Sequence, residues 1–119
     1  MTLQAARETR RLSADDLPDV WRLLDASPVE NVFVRARLDL VGLDSLVRAG
    51  ELVGFWDGGG LSSLCYLGAN MVPVSASGPA LTAFAAHAAA APRRPSSIVG
   101  PARAALQLGE LLRPVWGRP

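Results

Sequence analysis

Glu51 to Val74, ELVGFWDGGGLSSLCYLGANMVPV, reads as two apolar strands joined by a glycine turn and followed by a third. Leu52 to Trp56 has strand character, Asp57-Gly58-Gly59-Gly60 supplies residues that tolerate positive φ, and Leu61 to Gly68 makes the return strand. Gly68-Ala69-Asn70 turns the chain again, into Met71 to Val74. Pro73 has no amide to donate, so it has to sit at a bulge, an edge or a strand end. The other segments read as helices that find their core on this meander.

On the amino-terminal side, Met1 to Arg11 is polar, with frayed first residues expected and a short edge strand at Thr9 to Leu12. Ser13 and Asp16 stand at capping-box spacing, and Leu17, Val20, Trp21 and Leu24 follow at i, i+3, i+4 and i+7, the pattern of a helix with one apolar face. Pro18 leaves two starts open, a cap at Ser13 or a cap at Asp16 with the proline in the first turn. Ser27-Pro28-Val29-Glu30 opens a second helix, with Val29, Phe33, Ala36 and Leu40 on one face and Gly42 ending it. Arg35, Arg37 and Asp39 then form a solvated face.

On the carboxy-terminal side, Ser77-Gly78-Pro79 opens a third helix, with Leu81, Phe84, Ala85 and Ala88 on its apolar face and Pro92 as its stop. Arg93-Arg94 lies in a turn before a short strand, Ser96 to Val99. Gly100-Pro101 opens a fourth helix, with Ala105, Leu108 and Leu112 on its apolar face, weakened at Gly109 and ended by Pro114. The expected fold is α/β (α+β): one domain over residues 1–119, a sheet covered by helices.

Composition narrows the function classes. A chain of 119 residues buries roughly 65% of its unfolded surface, enough for a core without metals or disulfides. Half the residues are hydrophobic and 19% charged, which argues against disorder and leaves apolar surface for a partner. With a net charge of +1 and no basic stripe, nucleic-acid binding has no support. A lone cysteine, Cys65, and a start without the apolar core of a signal peptide point to a reducing cytoplasm. No run is long and apolar enough to span a bilayer; Ala83 to Ala91 is short and carries His87.

No catalytic constellation stands out. His87, the only histidine, has no acidic residue within a turn, and Cys65 sits between Leu64 and Tyr66 with no neighbouring charge to make it a thiolate. Asp15, Asp16, Asp19 and Asp25 gather on or before the first helix, where they complement its dipole, and one histidine with one cysteine does not make a transition-metal site. Gly58-Gly59-Gly60 joins strand to strand and is a turn, not a dinucleotide fingerprint. One stretch remains. Val74-Ser75-Ala76-Ser77-Gly78-Pro79-Ala80 carries a strand into a helix amino terminus, whose amides can hold a phosphate, or which Ser77 simply caps.

The element order, a strand, two helices, a three-stranded meander, a helix, a strand and a helix, is similar to the GCN5-related N-acetyltransferase (GNAT) fold without its last strands. The segments RRLSADDLPDVWRLLDASPVENVFV, ELVGFWDGGGLSSLCYLGANMVPV and SSIVGPARAALQLGELL resemble the amino-terminal DUF4081 domain of actinobacterial proteins that carry an acetyltransferase domain after it. The resemblance implies a mixed sheet with helices on both faces. It also implies acetyl-CoA as the cofactor of the family, held where Val74, Ser75, Ser77, Gly78 and Ala80 lie here. The family's loop follows Arg/Gln-x-x-Gly-x-Gly/Ala; this chain has Ser75, Gly78 and Ala80 at that spacing, with serine in place of the basic or amide side chain. The tyrosine that many of these enzymes use on the final helix is missing, and Tyr66 lies in the sheet.

The resemblance therefore implies an acetyltransferase-like domain with no catalytic residues and no cofactor of its own. Its partner would be a carboxy-terminal acetyltransferase domain of the same protein, which the end of the chain soon after Trp116 fits. The alternatives are an active N-acetyltransferase that binds acetyl-CoA, and a self-associating scaffold that forms a homodimer.

Overall fold

The structure is a computed structural model that describes residues 7–26, 31–93 and 95–117. Its centre is the meander: β2 (Leu52–Asp57), β3 (Leu61–Leu67) and β4 (Asn70–Val74), all antiparallel. Phe55 pairs with Ser63 but Trp56 with Leu61, so Ser62 is the extra residue of a bulge, and its hydroxyl donates to Phe55 O at 3.0 Å. β1 (Arg7–Arg11) adds antiparallel to β2, and β5 (Ser97–Ile98) adds parallel to β4, giving one mixed sheet in the order β1-β2-β3-β4-β5.

Pro73 takes the strand-end option. Met71 O accepts from Val99 N at 2.9 Å, and the parallel pairing reaches no further than Met71 and Ile98. Alternate residues direct their amides to the same neighbour, so the amide that Pro73 lacks would fall on the β5 side, past the last pair.

The period of two in the strands divides the core. Leu52, Leu64, Tyr66, Val72 and Val74 face α1 (Leu17–Ala26), α2 (Val32–Val41) and α3 (Leu43–Arg48), which bury Leu24, Val34 and Leu46 against them. Val53, Phe55, Cys65 and Met71 face α4 (Gly78–Ala89) and α5 (Ala102–Trp116). Each buried Leu or Phe contributes roughly 1.5–3 kcal/mol, so neither layer can be removed cheaply. Helices thus cover both faces, as the α/β reading expects. Gly54 sits under a crowded part of the first layer, where a Cβ would come within 2.7 Å of Leu61 Cδ1 and 2.8 Å of Leu12 Cδ2, so that those side chains would have to shift.

The two open starts of the first helix are both used. Ser13 opens a single 3-10 turn, Ala14–Asp16, and α1 begins at Leu17 with Pro18 in its first turn. Asp16 turns back to accept from Ser13 N at 2.8 Å and from the Arg10 guanidinium at 3.0 and 3.2 Å, while Arg10 also stacks over Trp56 at 4.0 Å. Burial raises the Asp16 pKa, but these hydrogen bonds outweigh it and hold the carboxyl below its ordinary range.

Several expectations need correction. Trp21 is 36% exposed and Leu23 takes its place in the core; the indole lies at the boundary, with the Arg35 guanidinium 5.2 Å above it and Arg35 paired to Asp25 at 2.6 Å. Arg35 is therefore engaged rather than simply solvated. Ala36 is exposed while Val34 is buried. The Ser27 to Glu30 start signal, Met1 to Ala6, Arg94 and the side chains of Phe33, Asp39 and Leu40 lie outside the described residues. Gly42 does end α2, at φ +81°, but the connection after it contains α3, which its six residues leave without a readable period. On α5, Ala104 is buried more deeply than Ala105. Pro114 does not stop the helix, which runs to Trp116, because a proline in the last turn removes one amide opposite an exposed residue, Glu110. The stop is Gly117, at φ +70°, whose amide donates to Arg113 O at 2.8 Å.

Candidate functional site

The loop from β4 to α4 is where a site was expected, and the structure divides its residues. Val74 and Ala80 are buried in the two core layers, and Gly78 makes the turn at φ +42°. Ser75 and Ser77 are exposed and line a groove of about 270 Å³, together with Pro73, Leu81, Arg103 and Gln107. The groove opens where β4 and β5 part after two residue pairs, Asn70 with Ser97 and Met71 with Ile98. Gly100 lies against the Pro73 ring, where a Cβ would come within 3.3 Å of Pro73 Cδ, and from there the chain swings away into α5.

Ser75 adopts φ +54°, and among the described residues it is the only non-glycine with positive φ. Such a conformation costs about 1–2 kcal/mol and persists only when its surroundings fix it. Ser63, buried in β3, does so by donating its hydroxyl to Ser75 O at 2.8 Å. Ser77 occupies the cap position with extended backbone, yet its side chain makes no capping bond, so ordinary side-chain capping is not what this serine does. The first three amides of α4 are the donors an anion would need. Pro79 has none and the Ala80 amide is committed to Ser77 O at 3.0 Å, which leaves the Gly78 amide alone. Arg103 and Gln107, one turn apart on α5, are the polar side chains that face the loop across the groove; no motif marks them in the sequence.

Elsewhere the chemistry is structural. Burial pushes the Cys65 thiol far up, only partly opposed by the Val72 backbone amide, so it is not a thiolate. Tyr66 is buried in the sheet, its ring close against Gly68. His87 is half-buried on α4, with its pKa lowered by burial and by the Arg11 charge. Among the described residues no group of three or more His, Cys, Asp or Glu could hold a metal ion, and no helix is long and apolar enough to cross a membrane.

What fold and site define together is a mixed α/β domain whose five-stranded sheet opens a groove where its last two strands part. The chain belongs to the family described as a domain of unknown function, DUF4081, whose model matches residues 50–119. The match begins just before β2 and takes in the meander, the loop, α4, β5 and α5. No curated protein matches the chain, and no solved structure does.

Proposed function

We propose that this chain is a non-catalytic GNAT-like module of a longer, cytoplasmic actinobacterial protein, and that it packs on a carboxy-terminal N-acetyltransferase domain. The observation that carries this reading is the donor count at the first turn of α4. A pyrophosphate cradle on a helix start needs its first free amides, and here Pro79 and the bond from Ala80 to Ser77 leave one of the first three. The basic or amide side chain expected at the start of the loop is Ser75, held in a strained conformation with its carbonyl bound to Ser63. Surface for a partner domain is offered by α5, where Leu106 is 70% and Val115 57% exposed.

Titration calorimetry of the chain with acetyl-CoA tests the reading. The expected result is no heat beyond dilution up to millimolar ligand; binding at micromolar concentration, or acetyl transfer by the chain alone, overturns it. A second reading, an active N-acetyltransferase, is favoured by one feature: Arg103 faces the loop and would supply the positive charge that Ser75 does not. In that case Arg103→Ala would abolish the calorimetric signal. Self-association into a homodimer, which the same exposed α5 residues would serve, shows as a doubled mass in light scattering.

A further inference from the structure

At the opposite end of α4 from the loop, a small cavity of about 80 Å³ is lined by Arg11, Leu67, His87, Ala88, Pro95 and Trp116, residues brought from β1, β3, α4, the turn before β5 and the end of α5. Its polar side chains are all potential donors, and among the described residues no acidic side chain lines it. Arg11 packs its guanidinium over Gly50, where a Cβ would stand 3.4 Å from Cζ, Nε and Nη1, ordinary contact; the glycine itself is called for by its φ of +70°. That guanidinium has no ion pair among the described residues. Trp116 is fixed from behind by Arg93, stacked 4.8 Å from the ring and donating to Pro95 O at 2.8 Å. The Trp116 Nε1 is buried, with no acceptor among the described residues, so Trp116 lines the cavity through its other atoms.

We propose that this cavity binds a small carboxylate, clamped by the Arg11 guanidinium, with Trp116 and His87 closing its sides. The planar fork of an arginine matches a carboxylate through two parallel bonds, which favours a carboxylate over a tetrahedral anion. Leu67, Ala88 and Pro95 supply an apolar wall for the ligand's short alkyl end. On the scale where ~150 Å³ accommodates benzene, 80 Å³ admits a group of two or three carbons. The site shares no residue with the loop of the proposed function and stands or falls without it.

The test is an NMR titration of the full chain with sodium acetate at constant ionic strength, following the indole N–H signals of Trp21, Trp56 and Trp116, with sodium chloride and inorganic phosphate as separate arms. The expected result is a saturable shift of the Trp116 signal alone, half-complete at roughly millimolar acetate, the range open to so small a ligand. Arg11→Gln should weaken this about tenfold or more, since the charge-assisted fork is lost. Arg11→Lys, which keeps the charge but not the fork, asks the same question should the glutamine variant fold poorly, and should also bind more weakly. A shift that does not saturate, that chloride reproduces, or that persists unchanged in these variants overturns the site. Tighter binding of phosphate than of acetate overturns the assignment to a carboxylate.

Discussion

The two ends of α4 are built on opposite plans. At its amino terminus a groove of about 270 Å³ is framed by two runs of neighbours in sequence, Pro73 to Leu81 and Pro101 to Gln107. At its carboxy-terminal end the smaller cavity is assembled from Arg11, His87 and Trp116, on three different elements. The first has the outline of an anion site with most of its donors removed. The second has the donors with no outline that a motif could describe. Adjacency in sequence marks where backbone donors would be, and only the fold says whether they are free. The reverse holds for side chains gathered by topology, whose spacing in the chain carries no chemical meaning.

The largest test asks whether the two ends share one support. Phe84 lies midway along α4, fully buried and edge-on to Phe55, with ring centroids 6.4 Å apart. Phe84→Ala should cost about 3–5 kcal/mol in urea unfolding, the range for removing a buried aromatic ring. It should also loosen both ends together, visible as lost amide exchange protection at Ala80 and Ala88 alike. Protection retained at one end would mean that the ends are anchored separately. Next in size is Ser63→Ala, which touches the amino-terminal end alone. It removes the bond to Ser75 O and should cost about 1 kcal/mol, the net worth of one hydrogen bond. Trp116 should report no change.

A smaller effect belongs to the other end alone. Burial and the Arg11 charge lower the His87 pKa below its ordinary 6.5, so the unfolded chain takes up a proton before the folded one does. Stability should therefore be fully present above about pH 6.5 and fall as the pH drops from there to the folded value, levelling off below it. His87→Asn should flatten this limb of the stability profile. The separate acid limb from Asp16, whose pKa is lowered, should remain at lower pH and disappear in Asp16→Asn. If the profile of His87→Asn matches that of the parent, the cavity does not hold the imidazole as described.

The same contrast governs what could be read from the sequence. The meander was legible because a period of two and a glycine turn are local signals, and α4 because Leu81, Phe84, Ala85 and Ala88 repeat at helical spacing and all of them are buried. α3 was not, since six residues hold less than two turns. Trp21 misled because its position on the apolar stripe is compatible with the boundary as well as the core, and the packing of α1 on β3 decides between them. The groove was half legible. Ser75 and Ser77 stand in it as the loop reading implies, but the commitment of the Ala80 amide, the positive φ of Ser75 and the approach of Arg103 are tertiary facts.

The smallest prediction separates the two ends most finely, because it concerns a residue whose role looked plainest. A serine followed by glycine and proline at a helix start reads as a cap, and replacing a capping serine by alanine ordinarily costs about 1 kcal/mol. Ser77 has the backbone of a cap, φ −152° and ψ 163°, but its hydroxyl bonds to no α4 amide, and the nearest helical amide that could use it, at Ala80, is already taken by Ser77 O. Ser77→Ala should then change stability by less than about 0.5 kcal/mol, below the range for losing a capping side chain. A loss near 1 kcal/mol in chemical denaturation would mean that the hydroxyl caps in solution, and that the groove holds one polar side chain fewer. A near-zero effect leaves the Ser77 hydroxyl facing the groove beside Ser75, unused by the helix that it begins.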